Sequence, residues 1–387
     1  MDKFNLSVNC AFGVENILGR ELAELGFSNL KAENGSFCFE GTAQDISDCN
    51  MFLRTAERVY IVLAKFTADN FDALFDGVFS VPWQDVLTCD AKIIVNAKSV
   101  KSTLYALSSI QSIAKKAIIK KLTEKTGKSI FLETGAVYGV EVNITKDVVS
   151  VVLDTSGVGL HKRGYRDYVS QAPLKETLAC ALLLLSDFSF DAPFCDPFCG
   201  SGTIAIEAAR IALNIASGVD RQFAYTSWKN FDNRVYLTAK EKALQCQKTD
   251  RKLDFVASDI DEKAIKLCYR HALRAGVSSK IRFEQKDIKD FSSAKSGGTI
   301  VTNPPYGQRL LDLTQAQDLM KILGQKYALL SDWSLFVLSA DMDFEKSLGK
   351  RADKKRKLFN AQKQCNLYQY FKQSNNKKRF THLKEFL

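Results

Sequence analysis

The sequence is poor in metal-binding material. Only three histidines occur in 387 residues. Ten cysteines stand at 10, 38, 49, 89, 180, 195, 199, 246, 268 and 365, yet no two form a Cys-x-x-Cys pair. Cys195 and Cys199 have a spacing that suits no zinc knuckle, so no metal is expected and free thiols in a reducing cytosol are. No run of about 18 apolar residues occurs, which argues against a membrane-spanning helix. The opening Met1-Asp-Lys-Phe-Asn lacks a basic stretch followed by an apolar core, so no secretory leader is expected and the location is read as cytoplasmic. There is no internal repeat and no low-complexity run.

The composition is otherwise that of a packed protein. At 46% hydrophobic residues, the chain can bury cores, and its length suggests two or three domains. The net charge is +10, and residues 345–387 hold 13 Lys/Arg against 3 Asp/Glu. A basic segment so focused fits a polyanionic partner, nucleic acid first, or equally a solubilising tail.

Residues 4–9 alternate as a strand, and Val14, Ile17, Leu18, Leu22 and Leu25 have helical spacing up to Gly26. Strands at 28–32 and 36–40 flank an Asn34-Gly35 turn, with a helix at 43–54 and a strand at 57–66. A second α+β unit spans about 70–155. It has strands at 91–97, 137–144 and 148–154 and a basic amphipathic helix over 110–122. Lys115, Lys116, Lys120 and Lys121 on that helix suit either a phosphate backbone or water. From about 158 the pattern changes to strands alternating with helices: 192–196, 203–213, 254–259, 262–275, 281–284, 299–302, 313–329 and 332–339, then strands at 356–360 and 365–371. Such alternation predicts a parallel, doubly wound sheet, whose ligands bind beyond the strand carboxyl ends.

The stretch Asp196-Pro-Phe-Cys-Gly-Ser-Gly-Thr203 lies on a strand-to-helix turn. Gly200 and Gly202 permit a tight turn and close approach to a ligand, and the following helix aims free N–H groups at it. No lysine follows Gly202, which argues against a nucleoside-triphosphate loop. Gly200-Ser-Gly-Thr-Ile-Ala205 formally fits a dinucleotide fingerprint. That fingerprint needs an acid about 20 residues later at a strand end; Asp220 has the spacing but follows no strand. S-adenosylmethionine is the third reading. Asp196 can meet its amino end, Asp259 (with Asp261 as an alternative) its ribose hydroxyls, and Asp287 its adenine amino group. Each aspartate alone reads equally as a helix cap; together they fall at the carboxyl ends of three predicted strands.

After the strand 299–302 comes Asn303-Pro-Pro-Tyr-Gly307. Two prolines stiffen the loop and remove two N–H donors, leaving carbonyls and the Asn303 amide oxygen as acceptors for an NH₂ group. Tyr306 can stack on a planar base. Holding nitrogen, carbon and sulfur in line is expected to supply most of the acceleration of direct methyl transfer. The catalytic candidates are Asn303, Pro304, Pro305 and Tyr306. The cofactor candidates are Asp196, Phe198, Cys199, Gly200, Gly202, Thr203, Asp259, Ile260, Asp287 and Ile288.

Asn303-Pro-Pro-Tyr306 resembles the signature of amino-methyltransferases acting on adenine N6, guanine N2 or glutamine amides. With Leu160-His-Lys-Arg-Gly-Tyr-Arg166, Ala172-Pro-Leu-Lys-Glu-Thr-Leu-Ala179 and Asp196–Thr203, the chain resembles THUMP-domain RNA guanine-N2 methyltransferases, most closely the group similar to the bacterial 23S ribosomal RNA enzyme. The resemblance implies an α/β fold with a Rossmann-like methyltransferase domain at 158–387, a mostly parallel sheet with an antiparallel C-terminal strand. It implies a ferredoxin-like subdomain at 1–65 and a THUMP module at 66–157 that bind RNA. It implies S-adenosylmethionine as cofactor, with Thr177 near its methionine end. Expected partners are RNA, ribosomal or a ribosomal subunit precursor, with no membrane and no metal; a monomer or weak dimer is expected. Some relatives carry a second methyltransferase domain, whose activity is not expected here. His271 stands where the family usually has Asn. Transfer RNA as substrate, adenine-N6 methylation of DNA, and an RNA-binding assembly factor with a methyltransferase fold are the alternatives. The aromatic segment 214–247 reads as a hydrophobic cluster covering the sheet, with a lid over a flipped base as the alternative.

Overall fold

A computed structural model of the protein describes residues 3–33, 35–127, 131–166, 174–305 and 313–372. Tyr306, Ala172, Pro173, Asn34 and the end of the basic segment lie outside the described residues.

The first half runs β1 (Phe4–Cys10), α1 (Glu15–Glu24), β2 (Lys31–Glu33), β3 (Ser36–Gly41), α2 (Ala43–Phe52), β4 (Ala56–Thr67), α3 (Phe71–Phe79), α4 (Trp83–Val86), β5 (Lys92–Val100), α5 (Leu107–Thr126), β6 (Val137–Thr145) and β7 (Val148–Asp154). Local chemistry sets several boundaries. Thr42 and Asp45 form a reciprocal capping box that starts α2. Gly26, with φ of +94°, follows the end of α1. Two separate α+β units are the sequence expectation, but the structure has one seven-stranded sheet, ordered β2-β3-β1-β4-β7-β6-β5. The twelve-residue β4 joins them: its first half pairs with β1, and residues 60–67 pair with β7. Sequence cannot reveal this, because one strand serves both partners.

The second half runs α6 (Glu176–Leu185), β8 (Phe194–Asp196), α7 (Thr203–Ala212), α8 (Arg234–Gln245), β9 (Phe255–Asp259), α9 (Glu262–Arg274), β10 (Ile281–Gln285), β11 (Thr299–Thr302), α10 (Leu313–Ala328), β12 (Ser334–Ser339), α11 (Phe344–Leu348), β13 (Lys354–Asn360) and β14 (Lys363–Tyr370). Its sheet is ordered β10-β9-β8-β11-β12-β14-β13. The first five strands are parallel, and β14 inserts antiparallel between β12 and β13. The chain winds outward from β8 to one side, then from β11 to the other. The β8/β11 boundary is therefore the switch point, where a crevice opens above the strand ends. Helix α6 is apolar all round because it is buried on every side, packed between α1 and α7. Among the described residues, no helix is long and apolar enough to cross a membrane.

The 214–247 aromatics fasten the two halves together rather than covering the catalytic sheet. Trp228 stacks on Tyr138 of β6, with centroids 4.8 Å apart and planes at 11°, and its indole N–H donates to Val137 O. Tyr225 Oη donates to Ser47 Oγ at 2.8 Å, and α8 packs on α2. These rings are buried, so they are not available to stack on a base.

Candidate functional site

The loop after β8 begins at Asp196, which is 1% exposed. Its carboxylate accepts from the Thr302 hydroxyl at 2.6 Å and from the Phe198 N–H at 3.3 Å. Burial pushes this carboxyl up from 3.8 to about 7, against both donors, which favour the ionised form. Thr302 ends β11, so its hydroxyl ties the β8 loop to the loop beginning at Asn303. Sequence reading gives Thr302 no role, since nothing local marks a partner 106 residues away.

A folded-state carboxyl above its unfolded value holds an extra proton between about pH 4 and 7. Asp196 therefore lowers stability as pH rises through that window. Melting temperature should fall more steeply from pH 5 to 8 in wild type than in Asp196→Asn. Parallel profiles would remove Asp196 as the source.

The glycines do what a cradle requires. Gly200 and Gly202 have φ of +51° and +80°, and a Cβ on Gly200 would meet no atom within 4 Å. The space before Gly200 is open, while Gly202 is held close to Cys268. The Gly200 N–H donates to Asp259 Oδ2 at 3.0 Å, locking the glycine loop to the end of β9. Asp259 also accepts the Asp261 N–H, and Asp261 itself caps α9 through Lys263 N–H. Of these two acids, Asp259 is the one bonded to the glycine loop. Asp287 follows β10 and accepts the Lys289 N–H. Ile260 beside Asp259 is 64% exposed, an apolar surface on this rim, whereas Ile288 is buried. Cys199 is buried with its Sγ 3.7 Å from that of Cys268, and Phe198 is partly buried.

His271 of α9 reaches the glycine loop. Its Nδ1 lies 3.1 Å from Ser201 O, so Nδ1–H donates to the carbonyl behind the glycines. Thr203 opens α7 and accepts from Arg166 Nη1 at 3.1 Å, and Arg166 also binds Glu176 at 2.7 Å. Thr177 instead donates to Glu57 Oε1 of β4 at 2.7 Å, so its hydroxyl is committed to the N-terminal half. Burial opposes ionisation of Glu57, yet His161, Lys175 and Thr177 bring its carboxyl down to about 2.

Beneath the cradle lies a polar core that composition does not disclose. Glu207 of α7 accepts from Tyr165 Oη at 2.9 Å and Cys180 Sγ at 3.0 Å, and pairs with Arg163 Nε at 4.0 Å. Arg163 also donates to the backbone carbonyls of Leu160 and Arg54. Within the Leu160–Arg166 motif, Leu160, Arg163 and Tyr165 are thus buried in a joint, while Lys162 and Gly164 are exposed.

At the crevice, Asn303 leaves β11. Its Oδ1 is buried with no hydrogen-bond partner among the described residues. An orphaned buried acceptor is costly unless something donates to it. Pro304 is buried and Pro305 partly so, which keeps this stretch rigid. Open backbone at Gly200, acids at Asp196 and Asp259, and an unfilled amide acceptor at Asn303 thus line one rim. This donor set fits S-adenosylmethionine: carboxylates for an ammonium and hydroxyls, and glycine for close approach.

Comparison with known proteins agrees with this geometry. Residues 163–369 match the RMKL-like methyltransferase domain, 5–60 the RlmL ferredoxin-like domain and 68–154 the THUMP domain. YpsC of Bacillus subtilis, provisionally named an RNA methyltransferase, is 42% identical over 96% of this chain and 97% of its own length. Ribosomal RNA large subunit methyltransferase K/L of Syntrophotalea carbinolica is 32% identical over 92% of this chain; the chain spans about half (52%) of that relative's length. Among solved structures, SMU.472, provisionally a methyltransferase and complexed with S-adenosylhomocysteine, is 39% identical with a TM-score of 0.91, over 97% of this chain and 100% of its own. A predicted N6-adenine-specific DNA methylase from Listeria monocytogenes is 43% identical with a TM-score of 0.91, over 96% and 97%.

Proposed function

The chain belongs to the RMKL-like methyltransferase family and uses S-adenosylmethionine, and from that premise we propose that it methylates N2 of a guanine in structured RNA, 23S ribosomal RNA first. The observation that carries the reading is the buried Asn303 Oδ1, without a hydrogen-bond partner among the described residues, one residue beyond Thr302, whose hydroxyl holds Asp196. The ribosomal relatives and the THUMP match support RNA as substrate. Residues 1–65 and 66–157 would present the RNA, and 158–387 would carry the chemistry.

S-adenosylmethionine supplies a methyl group on a positively charged sulfur. Asp196 would hold the ammonium end, Phe198 to Thr203 would line the approach, and Asp259, Ile260, Asp287 and Ile288 would bind ribose and adenine. Asn303 Oδ1 would accept one N–H of the guanine amino group, with a backbone carbonyl of the rigid Pro304-Pro305 stretch taking the second. Held this way, the nitrogen lone pair would be aimed at the methyl group that the bound cofactor supplies. The amine loses its proton after attack, so no strong base is needed beforehand. Tyr306 would stack on the target base.

Transfer of tritiated methyl to unmodified ribosomal RNA, followed by nucleoside analysis, should yield N2-methylguanosine. Its absence from both ribosomal and transfer RNA overturns the proposal. The Listeria structure's description supports a second reading, adenine-N6 methylation of DNA. Label removed by DNase but not by RNase would favour it.

A further inference from the structure

We propose that Phe12, Phe359 and Lys357 form a docking surface for single-stranded RNA flanking the target nucleotide, an inference that rests on the RNA-methylation reading above. The cluster is assembled from both halves of the molecule. Phe12 lies in the β1–α1 loop and is 60% exposed. Its ring meets Phe359 of β13 edge to face, with centroids 5.5 Å apart at 86°. Lys357 Nζ stands 5.4 Å from the Phe359 ring centroid. The loop is seated firmly: a Cβ on Gly13, whose φ is +86°, would come within 2.5 Å of Lys357 O.

Strand register puts this cluster on the same rim as the candidate site. Thr302, the residue before Asn303, pairs with Val337 of β12. Ser339 lies two residues closer to the rim and pairs with Asn366 of β14, which pairs with Lys357. Phe359 lies two residues beyond Lys357 on the same face of β13. Three strand spacings separate β11 from β13, roughly 14 Å, a span that a few nucleotides cover. Lys354, Lys355 and Lys357 are exposed along the β13 edge, and of these Lys355 pairs with Glu345. An exposed aromatic beside a row of cations suits a polyanion whose bases can stack. Duplex RNA offers no free base face, so the occupant is an unpaired strand.

The test uses the full chain and an unmodified large-subunit ribosomal RNA transcript. Phe12→Ala should raise KM for RNA about tenfold with kcat changed less than about twofold, and Phe12→Trp should restore KM. Lys357→Ala should reduce the slope of log KM against log salt by about one. S-adenosylhomocysteine affinity and melting temperature should not move. If wild type methylates RNA while Phe12→Ala and Lys357→Ala keep its KM and salt slope, the docking surface is refuted and the functional reading stands. If wild type methylates no RNA, the functional reading fails and this inference fails with it.

Discussion

Replacing Asn303 with Ala is expected to lower kcat for methyl transfer by about 10²- to 10³-fold, the usual cost of deleting one preorganised hydrogen-bonding group at a reacting centre. The affinity for S-adenosylhomocysteine should stay within about threefold, because the proposed reading assigns binding and chemistry to different residues. Asn303 Oδ1 has no partner among the described residues, so the substitution breaks no bond among them through that atom. Thr302 still reaches Asp196, and the glycine loop still hangs on Asp259. Pro304 and Pro305 hold the backbone path whatever side chain precedes them. Single-turnover methylation alongside equilibrium titration of S-adenosylhomocysteine separates the two quantities. Methylation that survives in Asn303→Ala would remove this residue from the chemistry.

Glu207→Ala should produce the largest loss of stability, about 3–5 kcal/mol, the range for removing one partner of a buried ion pair. Glu207 is fully buried and is the carboxylate that faces Arg163; its charge also acts on Arg54. The Arg54 guanidinium nitrogens have no hydrogen-bond partner among the described residues. Without Glu207, two buried guanidinium groups lose the carboxylate they share, leaving Glu21 to act on Arg54 and Glu176 on Arg163, and Tyr165 Oη and Cys180 Sγ lose an acceptor. Glu207→Gln keeps size and an acceptor and should cost less. The midpoint of urea unfolding reports both. An alanine variant within about 1 kcal/mol of wild type would show the cluster to be energetically neutral.

What could be read before the structure has a physical pattern. Asp196, Gly200, Gly202, Asp259 and Asn303 were visible because each sits where a strand ends, and strand ends are marked by local composition. Thr302 and Glu207 gave no such signal, and His271 gave only a departure from the usual Asn, with no partner named. Their roles depend on which elements become neighbours, through contacts that span 106, 42 and 70 residues in the chain. The cationic residues of Leu160–Arg166 show their charge in sequence but not their burial; Arg163 turns inward to meet Glu207 and the Arg54 carbonyl. The aromatic segment misled similarly, since hydrophobicity tells that a surface is covered but not which one. The sharing of β4 between two partners was out of reach for the same reason.

That shared strand makes the N-terminal half a caliper. Two modules on a flexible tether would sample many separations, and the substrate would have to select one. Here continuous backbone hydrogen bonding runs across seven strands, roughly 29 Å from edge to edge, and the 214–247 segment bolts that span to the catalytic half. On the proposed reading, the distance between that far edge and a nucleotide at Asn303 would be set before the substrate arrives. An RNA would then be accepted by whether its own dimensions match the gap.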